Sequence, residues 1–477
     1  MNAQIVRVFV VIVVLFTLLI VWTTRWTVLE ASSLNSNSLN RLTLIADLRI
    51  KRGRIVAADG TTVLAQSVPA AGGTWSRYYP TKQLFAQPVG YLRASQGQAA
   101  GLERSDGADL RGLQTGLSSV FGQLSSNGVG DDVYTTLDPK AQQVAVQQLN
   151  GQAGSIVALD PRTGAIKAMY SNPTYDDNNP PFGSTDPNLT TFNRATQAGY
   201  PPGSTFKVVT AAAALDSGQF SPNSTVNGNS PVTISGVPLS NDNNQSFGPV
   251  DLTTALTYSV NTVWAQVAVQ LGIPTMTNYM QRFGFYAKPP VDLPPVELSA
   301  SAPFPPGSIK PYPPGSGRED IGRIGIGQGG LRVTPLQMAM VVAAVANGGK
   351  LMVPHLTARV VNSDGVTVKT INPNVYNQVM KPSTAQALTQ MMTKVVEEGT
   401  GTAAQIGGVS VAGKTGTAEI GTQGSGLTEP WFIGFAPVDH PTVAVAVTVD
   451  KTQGGFGGTV AAPMASQVIQ TLLSEGH

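Results

Sequence analysis

The sequence predicts an α+β fold for most of this 477-residue chain. Segments 155–159 and 165–170 are apolar and are joined by turn residues, which predicts a β-hairpin, and residues 443–449 alternate valine with other residues, which predicts a further strand. Helix-forming patterns occupy much of the sequence between these strands. Strands from both ends of a sequence with helices between them are typical of an α+β domain whose sheet combines sequence-distant strands.

The N-terminus predicts a membrane anchor. Residues 8–22 are apolar apart from one threonine, and Arg7 and Arg25 bracket them. With its flanking residues this segment approaches the ~20 residues that a bilayer core requires. We therefore assign residues 1–25 to a cytoplasmic tip and a single transmembrane helix, with the rest of the chain on the extracytoplasmic side. A cleaved signal peptide is the alternative, because residues 31–33 offer a small-x-small pattern, although well beyond the apolar run.

Three segments follow the anchor. Residues 26–41 are polar and predict a stalk. Residues 42–135 contain short apolar runs cut by glycines, such as 61–64 and 87–92, which predicts a mainly-β pedestal of strands and loops without an active-site constellation. Residues 136–477 form the larger domain, to which the α+β prediction applies.

The larger domain opens with a predicted helix and closes near a predicted strand. Asp138 is a suitable N-cap, Pro139 suits the first helical turn, and Gly151 suits the end of the helix. Because only alternate positions of 443–449 are valine, we expect one face of that strand to pack on a core.

A proline-rich segment, residues 288–314, predicts an extended loop rather than a helix, because proline lacks the N–H that a helix interior needs. Ser308 and Lys310 within it form a superficial serine–lysine pair. Their spacing is wrong and the prolines prevent the helix that would align them, so we reject this pair as a site.

The composition argues against several classes of function. A formal net charge of +2 with 12% charged residues gives no support for nucleic-acid binding, which needs a concentrated basic patch. The chain has no cysteine and only three scattered histidines, so a metal site is not predicted. We expect no cofactor.

The most informative motif is Ser204-x-x-Lys207. It follows Tyr200-Pro-Pro-Gly and precedes an alanine-rich run, so the serine and the lysine open one predicted helix. Two residues three apart share a helix face, which brings the lysine amine within reach of the serine hydroxyl. Such a pair can activate a nucleophile without histidine.

Two further motifs follow in order. Ser259-Val260-Asn261 comes first, and Lys414-Thr415-Gly416-Thr417 comes much later, with a glycine that permits close backbone approach. Each motif alone is a pattern that chance supplies. Their order and spacing, with room for a helical subdomain between them, give the set its value.

With these motifs the chain resembles the penicilloyl serine transferases, and among them the class B penicillin-binding proteins. The resemblance covers nearly the whole chain after residue 135. The short pedestal, which contains Gly101-Leu102-Glu103, is most similar to that of actinobacterial members of the class. It includes a first-hairpin signature, a mid-domain signature, the strand after the lysine motif and a closing segment: 154–164, 327–339, 431–437 and 457–463. Residues 52–55 look like the pedestal motif, although Ala57 and Ala58 stand where an Asp-Arg pair is usual.

The resemblance implies the penicillin-binding transpeptidase fold, an antiparallel sheet flanked by helices plus an all-helical subdomain. It also implies the reaction, in which Ser204 attacks the penultimate D-alanine carbonyl of a peptidoglycan stem peptide. Ser259 would relay a proton to the departing amine, and Asn261 would hold Lys207 and a substrate amide. Thr415, Gly416 and Thr417 would lie along the stem peptide and its carboxylate, with the oxyanion held by the backbone amides of Ser204 and Thr417.

Lys207 can act as the general base only if it is partly neutral. Its pKa must therefore fall from ~10.4 towards neutrality. Burial and a second nearby cation both lower the pKa of an amine, and Lys414 is the candidate for that cation. We expect the neutrality of Lys207 to depend on Lys414.

Two other functions remain as alternatives. A D,D-carboxypeptidase or serine β-lactamase would use water as the acceptor, and a β-lactam sensor or cell-wall scaffold would keep the site only as a receptor. The resemblance favours the transpeptidase, whose partners are D-Ala-D-Ala stem peptides, β-lactams that mimic them, and a membrane-embedded glycosyltransferase of the shape, elongation, division and sporulation family.

Overall fold

The computed structural model of the protein describes residues 2–26, 47–113, 129–182, 184, 186, 188–421 and 425–476. The predicted stalk, residues 26–41, lies outside the described residues except for its first member. The opening residues of the predicted pedestal, 42–46, also lie outside them.

Twelve helices and twenty-two strands occur in the described residues. The helices are α1 Asn2–Thr24, α2 Ala86–Val89, α3 Gly101–Ser105, α4 Pro139–Leu149, α5 Arg194–Gln197, α6 Lys207–Asp216, α7 Leu252–Thr257, α8 Asn261–Arg282, α9 Ile321–Ile324, α10 Pro335–Ala346, α11 Pro382–Glu397 and α12 Ala461–Ser474. The strands are β1 Ile55–Val56, β2 Val63–Ala70, β3 Thr74–Tyr78, β4 Leu92–Arg93, β5 Gln98–Ala99, β6 Asp132–Thr135, β7 Gly154–Leu159, β8 Ile166–Asn172, β9 Thr225–Asn227, β10 Val232–Ile234, β11 Val237–Leu239, β12 Pro249–Asp251, β13 Ala302–Pro303, β14 Leu331–Arg332, β15 Lys350–Met352, β16 Thr357–Val361, β17 Thr367–Thr370, β18 Val375–Gln378, β19 Ala412–Glu419, β20 Leu427–Ala436, β21 Val443–Val449 and β22 Thr452–Gln453.

Helix α1 is long and apolar enough to cross a membrane. Its apolar part, Ala3–Thr24, has a mean hydropathy of 3.0 and none of it is buried against the rest of the chain. An N-terminal signal sequence can meet the same criteria of length and composition. The helix is therefore compatible with a single-pass anchor.

The central sheet joins strands from both ends of the larger domain, in the order β19-β20-β21-β7-β8, with β22 added beside β20. All of its pairs are antiparallel. The predicted hairpin is β7–β8, and the predicted helix is α4, where Asp138 caps the N–H of Ala141 at 2.8 Å. The α+β prediction is confirmed.

Strand β21 is buried on both faces, which corrects the prediction of one packed face. Its valines belong to a core with α4 and α12. Its alanines, Ala444 and Ala446, point to the opposite face and join the core that contains α10. The small residues therefore mark a close approach of a second helix layer rather than a solvent-facing side.

A second six-stranded sheet crosses the predicted domain boundary. Its order is β17-β16-β6-β1-β2-β3, so β16 and β17, far downstream in sequence, complete the pedestal sheet. Strand β6 pairs in parallel with β1 and antiparallel with β16. Within the pedestal, run 87–92 forms most of helix α2 and the start of β4 rather than one strand. The boundary at residue 135 stays a prediction, but it does not separate two sheets.

The proline-rich segment is an extended loop, as predicted. Its only regular elements are a single 3₁₀ turn, Pro295–Glu297, and strand β13. Ser308 Oγ donates to the backbone oxygen of Lys310 at 2.7 Å. The hydroxyl is thus turned toward its own loop, away from any active-site group.

Candidate active site

Ser204 lies on a tight turn that leads into α6. Residues Gly203–Phe206 form a 3₁₀ helix, and the α-helix begins only at Lys207, which corrects the prediction of one continuous helix from the serine. Gly203 has φ of +51°, a left-handed conformation that favours glycine. Thr205 Oγ1 donates to Pro202 O at 2.7 Å and closes the turn.

The mid-domain signature holds this serine turn in place. Tyr200 and Val333 exchange two backbone hydrogen bonds, at 2.9 and 2.8 Å, and Gly203 N donates to Gly327 O at 3.1 Å. A Cβ atom on Gly327 would lie 1.9 Å from Gly203 O. Only glycine fits there, which gives the signature a physical role in placing Ser204.

Strand β19 carries the lysine motif and lies directly against the same turn. A Cβ atom on Gly416 would lie 2.7 Å from Pro202 O, so the absence of a side chain sets the close approach of the strand. The flanking threonines are held by neighbouring loops. Thr415 Oγ1 hydrogen bonds with Thr400 Oγ1 at 2.6 Å, and Thr417 Oγ1 accepts from Gly457 N at 3.1 Å.

Lys207 is fully buried, and its amine lies at the centre of the site. Nζ donates to Ser259 O at 2.6 Å, to Ser259 Oγ at 3.1 Å and to Asn261 Oδ1 at 2.6 Å. In the part of the chain that the structure describes, none of its hydrogen bonds goes to Ser204. Helix geometry predicts a hydrogen bond between Lys207 and Ser204, but the Lys207 amine instead bonds to Ser259 and Asn261 of the second motif.

Ser259 is displayed by a break between helices α7 and α8. It adopts φ of +59°, which is uncommon for a residue with a side chain and is concentrated at functional sites. This conformation turns both its carbonyl and its hydroxyl toward the lysines. Lys414 Nζ donates to Ser259 Oγ at 3.0 Å and to Thr415 O at 3.0 Å. Two lysines thus share one hydroxyl.

Burial, more than charge repulsion, shifts the pKa of both lysines. Desolvation is the largest cause that lowers the pKa of Lys207 well below its usual range, repulsion from Lys414 is the second, and the carboxylate of Asp242 opposes them. Burial lowers the pKa of Lys414 to about 7, again against Asp242. Repulsion from Lys414 therefore lowers the pKa of Lys207, as expected, but contributes less than the loss of hydration on burial.

The site opens into a cleft of about 1480 Å³ that contains residues the sequence did not indicate. Asp242, Tyr258, Arg323 and Thr400 line it together with Ser204. Asp242 belongs to a polar loop and Thr400 to a helix-strand connection, and neither lies in a recognisable motif. Their position follows only from the folding of distant segments, so no pattern along the chain could have found them.

No group of three or more histidine, aspartate or glutamate side chains suited to a metal ion occurs among the described residues. The chemistry that the described arrangement supports is proton transfer around a serine hydroxyl.

Comparison with known families gives the class of protein. The family model described as penicillin binding protein transpeptidase domain matches residues 154–470, and the model described as penicillin binding protein A dimerisation domain matches residues 52–131. The chain belongs to the family of penicillin-binding protein transpeptidases. The family and fold predicted from the motifs are confirmed.

Relatives within the family are similar over their full length. The peptidoglycan D,D-transpeptidase PbpA of Mycolicibacterium smegmatis is 34% identical and covers 100% of both chains, and that of Mycobacterium tuberculosis is 32% identical over 99% of both. The ceftriaxone acyl-enzyme complex of penicillin-binding protein A from M. tuberculosis is 30% identical, with a TM-score of 0.78 over 90% of this chain and 100% of that chain. The D,D-transpeptidase domain from Eggerthella lenta is 32% identical, with a TM-score of 0.77 over 90% and 99%.

Proposed function

We propose that the protein is a peptidoglycan D,D-transpeptidase with Ser204 as its nucleophile. The observation that carries the proposal is the convergence of Lys207 and Lys414 on Ser259 Oγ, at 3.1 and 3.0 Å, beside the serine turn. Two buried amines that share one acceptor disfavour each other's positive charge. Where no histidine is available, a neutral lysine can act as the general base for a serine nucleophile.

Acylation uses these groups in sequence. Ser204 Oγ attacks the carbonyl carbon of the penultimate D-alanine, and its proton passes to Lys207. The backbone N–H groups of Ser204 and Thr417 bind the developing oxyanion. The C–N bond then breaks, and D-alanine leaves with a proton that Lys207 returns through Ser259 Oγ. An amine of a second stem peptide attacks the ester carbonyl and loses its proton to Lys207. The C–O bond to Ser204 then breaks, and Lys207 returns that proton to Ser204 Oγ.

Strand β19 is the proposed docking edge for the donor peptide. It is an edge strand of the central sheet, and among the described strands it pairs with β20 alone. An extended peptide can add to such an edge through main-chain hydrogen bonds. Lys414 and the two threonines of the motif then supply the groups for its terminal carboxylate.

A hydrolase remains the second candidate, because water can replace the acceptor amine in the same cleft. The two functions separate on their products. We expect polymerised peptidoglycan strands to yield cross-linked dimers by mass spectrometry, whereas trimmed monomers alone would favour the carboxypeptidase. Release of a penicilloyl adduct within seconds would favour the β-lactamase.

Anchoring and partnership belong to the same proposal. Helix α1 holds the protein in the cytoplasmic membrane as a single span, with Ser204 on the extracytoplasmic side, where stem peptides are cross-linked. The partner is a membrane-embedded glycosyltransferase of the shape, elongation, division and sporulation family, which polymerises the strands. The apolar character of α1 supports the anchor, and the family resemblance supports the partner.

The nucleophile is tested with a fluorescent penicillin. The wild type is expected to form a covalent adduct, and Ser204→Ala is expected to form none, because the β-lactam carbonyl then meets no hydroxyl. The matched control is Ser308→Ala, which removes the serine of the rejected serine–lysine pair and should label like the wild type. Labelling of Ser204→Ala at the same stoichiometry, with the fold intact by circular dichroism, would overturn the assignment.

A further inference from the structure

Asp242 lies beside the lysine pair, although it belongs to none of the three motifs. Its Oδ1 accepts a hydrogen bond from Asn261 Nδ2 at 3.2 Å, and Asn261 Oδ1 accepts one from Lys207 Nζ at 2.6 Å. The carboxylate and the lysine therefore hold opposite ends of one amide. Because an amide donates at one end and accepts at the other, this arrangement selects one of its two orientations.

Hydrogen bonds of the neighbouring residue Asn241 fix the loop that carries Asp242. Its neighbour Asn241 is buried, with 5% of its surface exposed, and Nδ2 donates to Gly228 O at 3.0 Å and to Gln245 O at 2.8 Å. Asn241 Oδ1 accepts from Thr262 N at 2.9 Å, in the first turn of α8. The loop is thus tied to the helix that begins with Asn261, the residue Asp242 contacts.

Asp242 also brings a negative charge to a cationic site. Among the described residues, Asp242 is the carboxylate whose charge raises the pKa of Lys207 and of Lys414. Burial lowers the pKa of both lysines, repulsion lowers that of Lys207 further, and Asp242 raises both. Glu419 lines the same cleft and makes no hydrogen bond to Asn261 or to either lysine among the described residues.

Resting on the function proposed above, we propose that Asp242 is a positioning residue for the acylation of Ser204. It orients the Asn261 amide toward Lys207 and supplies the counter-charge of the buried lysine pair. Through the second role it sets the lower pH limit of acylation, because that limit is where the base becomes protonated.

The test measures the second-order rate constant of acylation by a fluorescent penicillin from about pH 5 to about pH 9. Asp242→Asn keeps an oxygen that can accept from Asn261 but removes the charge, so the acid limb of the profile should move to lower pH with the plateau nearly kept. Asp242→Ala removes charge and acceptor. Its acid limb should move likewise, and its plateau should fall about fivefold, the effect of one hydrogen bond.

Glu419→Gln is the matched control, since it removes one charge from the same cleft without contact to Asn261. Its acid limb should stay at the wild-type position. Raising the salt concentration should move the wild-type limb toward that of Asp242→Asn, because exposed charges are screened. An unmoved limb in Asp242→Asn, or an equal movement in Glu419→Gln, would overturn the proposal. Failure of the wild type to label would instead overturn the proposed function.

Discussion

Ser259 performs two roles through one backbone conformation. Its left-handed φ of +59° places the carbonyl against Lys207 and leaves the hydroxyl between Lys207 and Lys414. The cost of such a conformation, of order 1 kcal/mol, is accepted where the surroundings fix it.

Removing Lys414 tests which lysine is the base. In Lys414→Gln we expect the rate constant of acylation to fall by about a hundredfold, because a charged hydrogen-bond donor is lost from the site. We also expect the acid limb of its pH–rate profile to lie at higher pH than that of the wild type. Repulsion from Lys414 lowers the pKa of Lys207, so its removal lets Lys207 hold its proton to higher pH.

The measurement is again the acylation rate against pH, with Lys451→Gln as the control. Lys451 is an exposed lysine two residues after β21, outside the pair formed by Lys207 and Lys414. An acid limb that moves to lower pH in Lys414→Gln, or stays in place, would show that Lys207 is not the titrating base.

The sequence predicted which residues the fold brings together better than it predicted the hydrogen bonds between them. Ser204, Lys207, Ser259, Asn261 and Lys414 were found because each stands in a short motif, and the fold brings them together. The direct contact of Lys207 with Ser204 was expected from helix periodicity, which assumes an α-helix from the first residue. The two prolines and the glycine before Ser204 impose a tighter turn instead, and periodicity carries no information about a partner 52 residues away.

At the scale of elements, Asp216 joins three helices behind the site. It ends α6, and its carboxylate accepts from Tyr279 of α8 at 2.7 Å, from Lys381 N at 2.7 Å and from Thr384 of α11 at 2.8 Å. Lys381 N lies at the N-terminus of α11, where backbone N–H groups lack helical partners. One carboxylate therefore caps a helix that is distant in sequence.

Asp216→Asn should destabilise the protein by about 2–3 kcal/mol at pH 7, because an amide cannot accept all of these hydrogen bonds. Burial raises the pKa of Asp216, but the bonds from Lys381, Tyr279 and Thr384 outweigh it and lower the pKa below its usual value. The stabilisation by the ionised Asp216 carboxylate is thus fully present above about pH 4, and it is lost as the pH falls through the lower pKa of Asp216 in the folded protein.

Urea denaturation at neutral and acidic pH measures this difference. The gap between Asp216→Asn and the wild type should narrow at acidic pH, while the exposed control Asp364→Asn should stay within about 0.5 kcal/mol of the wild type throughout. A gap that widens on acidification would contradict the role given to the carboxylate.

At the scale of the whole molecule, the pedestal and the larger domain share structure. One continuous hydrophobic cluster contains Ile55, Phe85 and Leu102 of the pedestal together with Val157 and Met169 of the central sheet. The predicted boundary rests on local signals, the end of a strand-rich region and the start of helix α4. Pairing between β6 and β16 is invisible to such signals, because the two strands are separated by more than two hundred residues.

The loop after β8 is a second joint between these regions and contains a buried carboxyl group. Asn178 exchanges two hydrogen bonds with the backbone of Tyr79, both at 2.9 Å, and Tyr175 OH donates to Ala86 O at 3.0 Å. Asp177 between them is 2% exposed, and its oxygens make no hydrogen bond of standard geometry with a described residue, although the Tyr175 hydroxyl is close enough to lower the pKa of the carboxyl group. Burial raises the pKa of Asp177 well above its usual range.

Asp177→Asn should therefore become more stable than the wild type as the pH rises. The raised pKa means that the wild-type carboxyl stabilises most fully below about pH 4 and loses this stabilisation as the pH rises through the folded-state value. An amide carries no such penalty, and we expect a gain on the order of 1–3 kcal/mol at pH 8. Thermal unfolding from pH 5 to pH 8, with exposed Asp439→Asn as the control, measures it. A constant difference across that range would contradict the prediction.

The sheet that β16 and β17 complete has a mechanical consequence under load. A load on the pedestal would pass from β1 to β6 and then to β16 across antiparallel hydrogen bonds. Such a ladder resists load collectively where the force runs along the strands, whereas a flexible linker would extend. We therefore expect the pedestal and the larger domain to respond to tension as one stiff body rather than as two domains on a hinge.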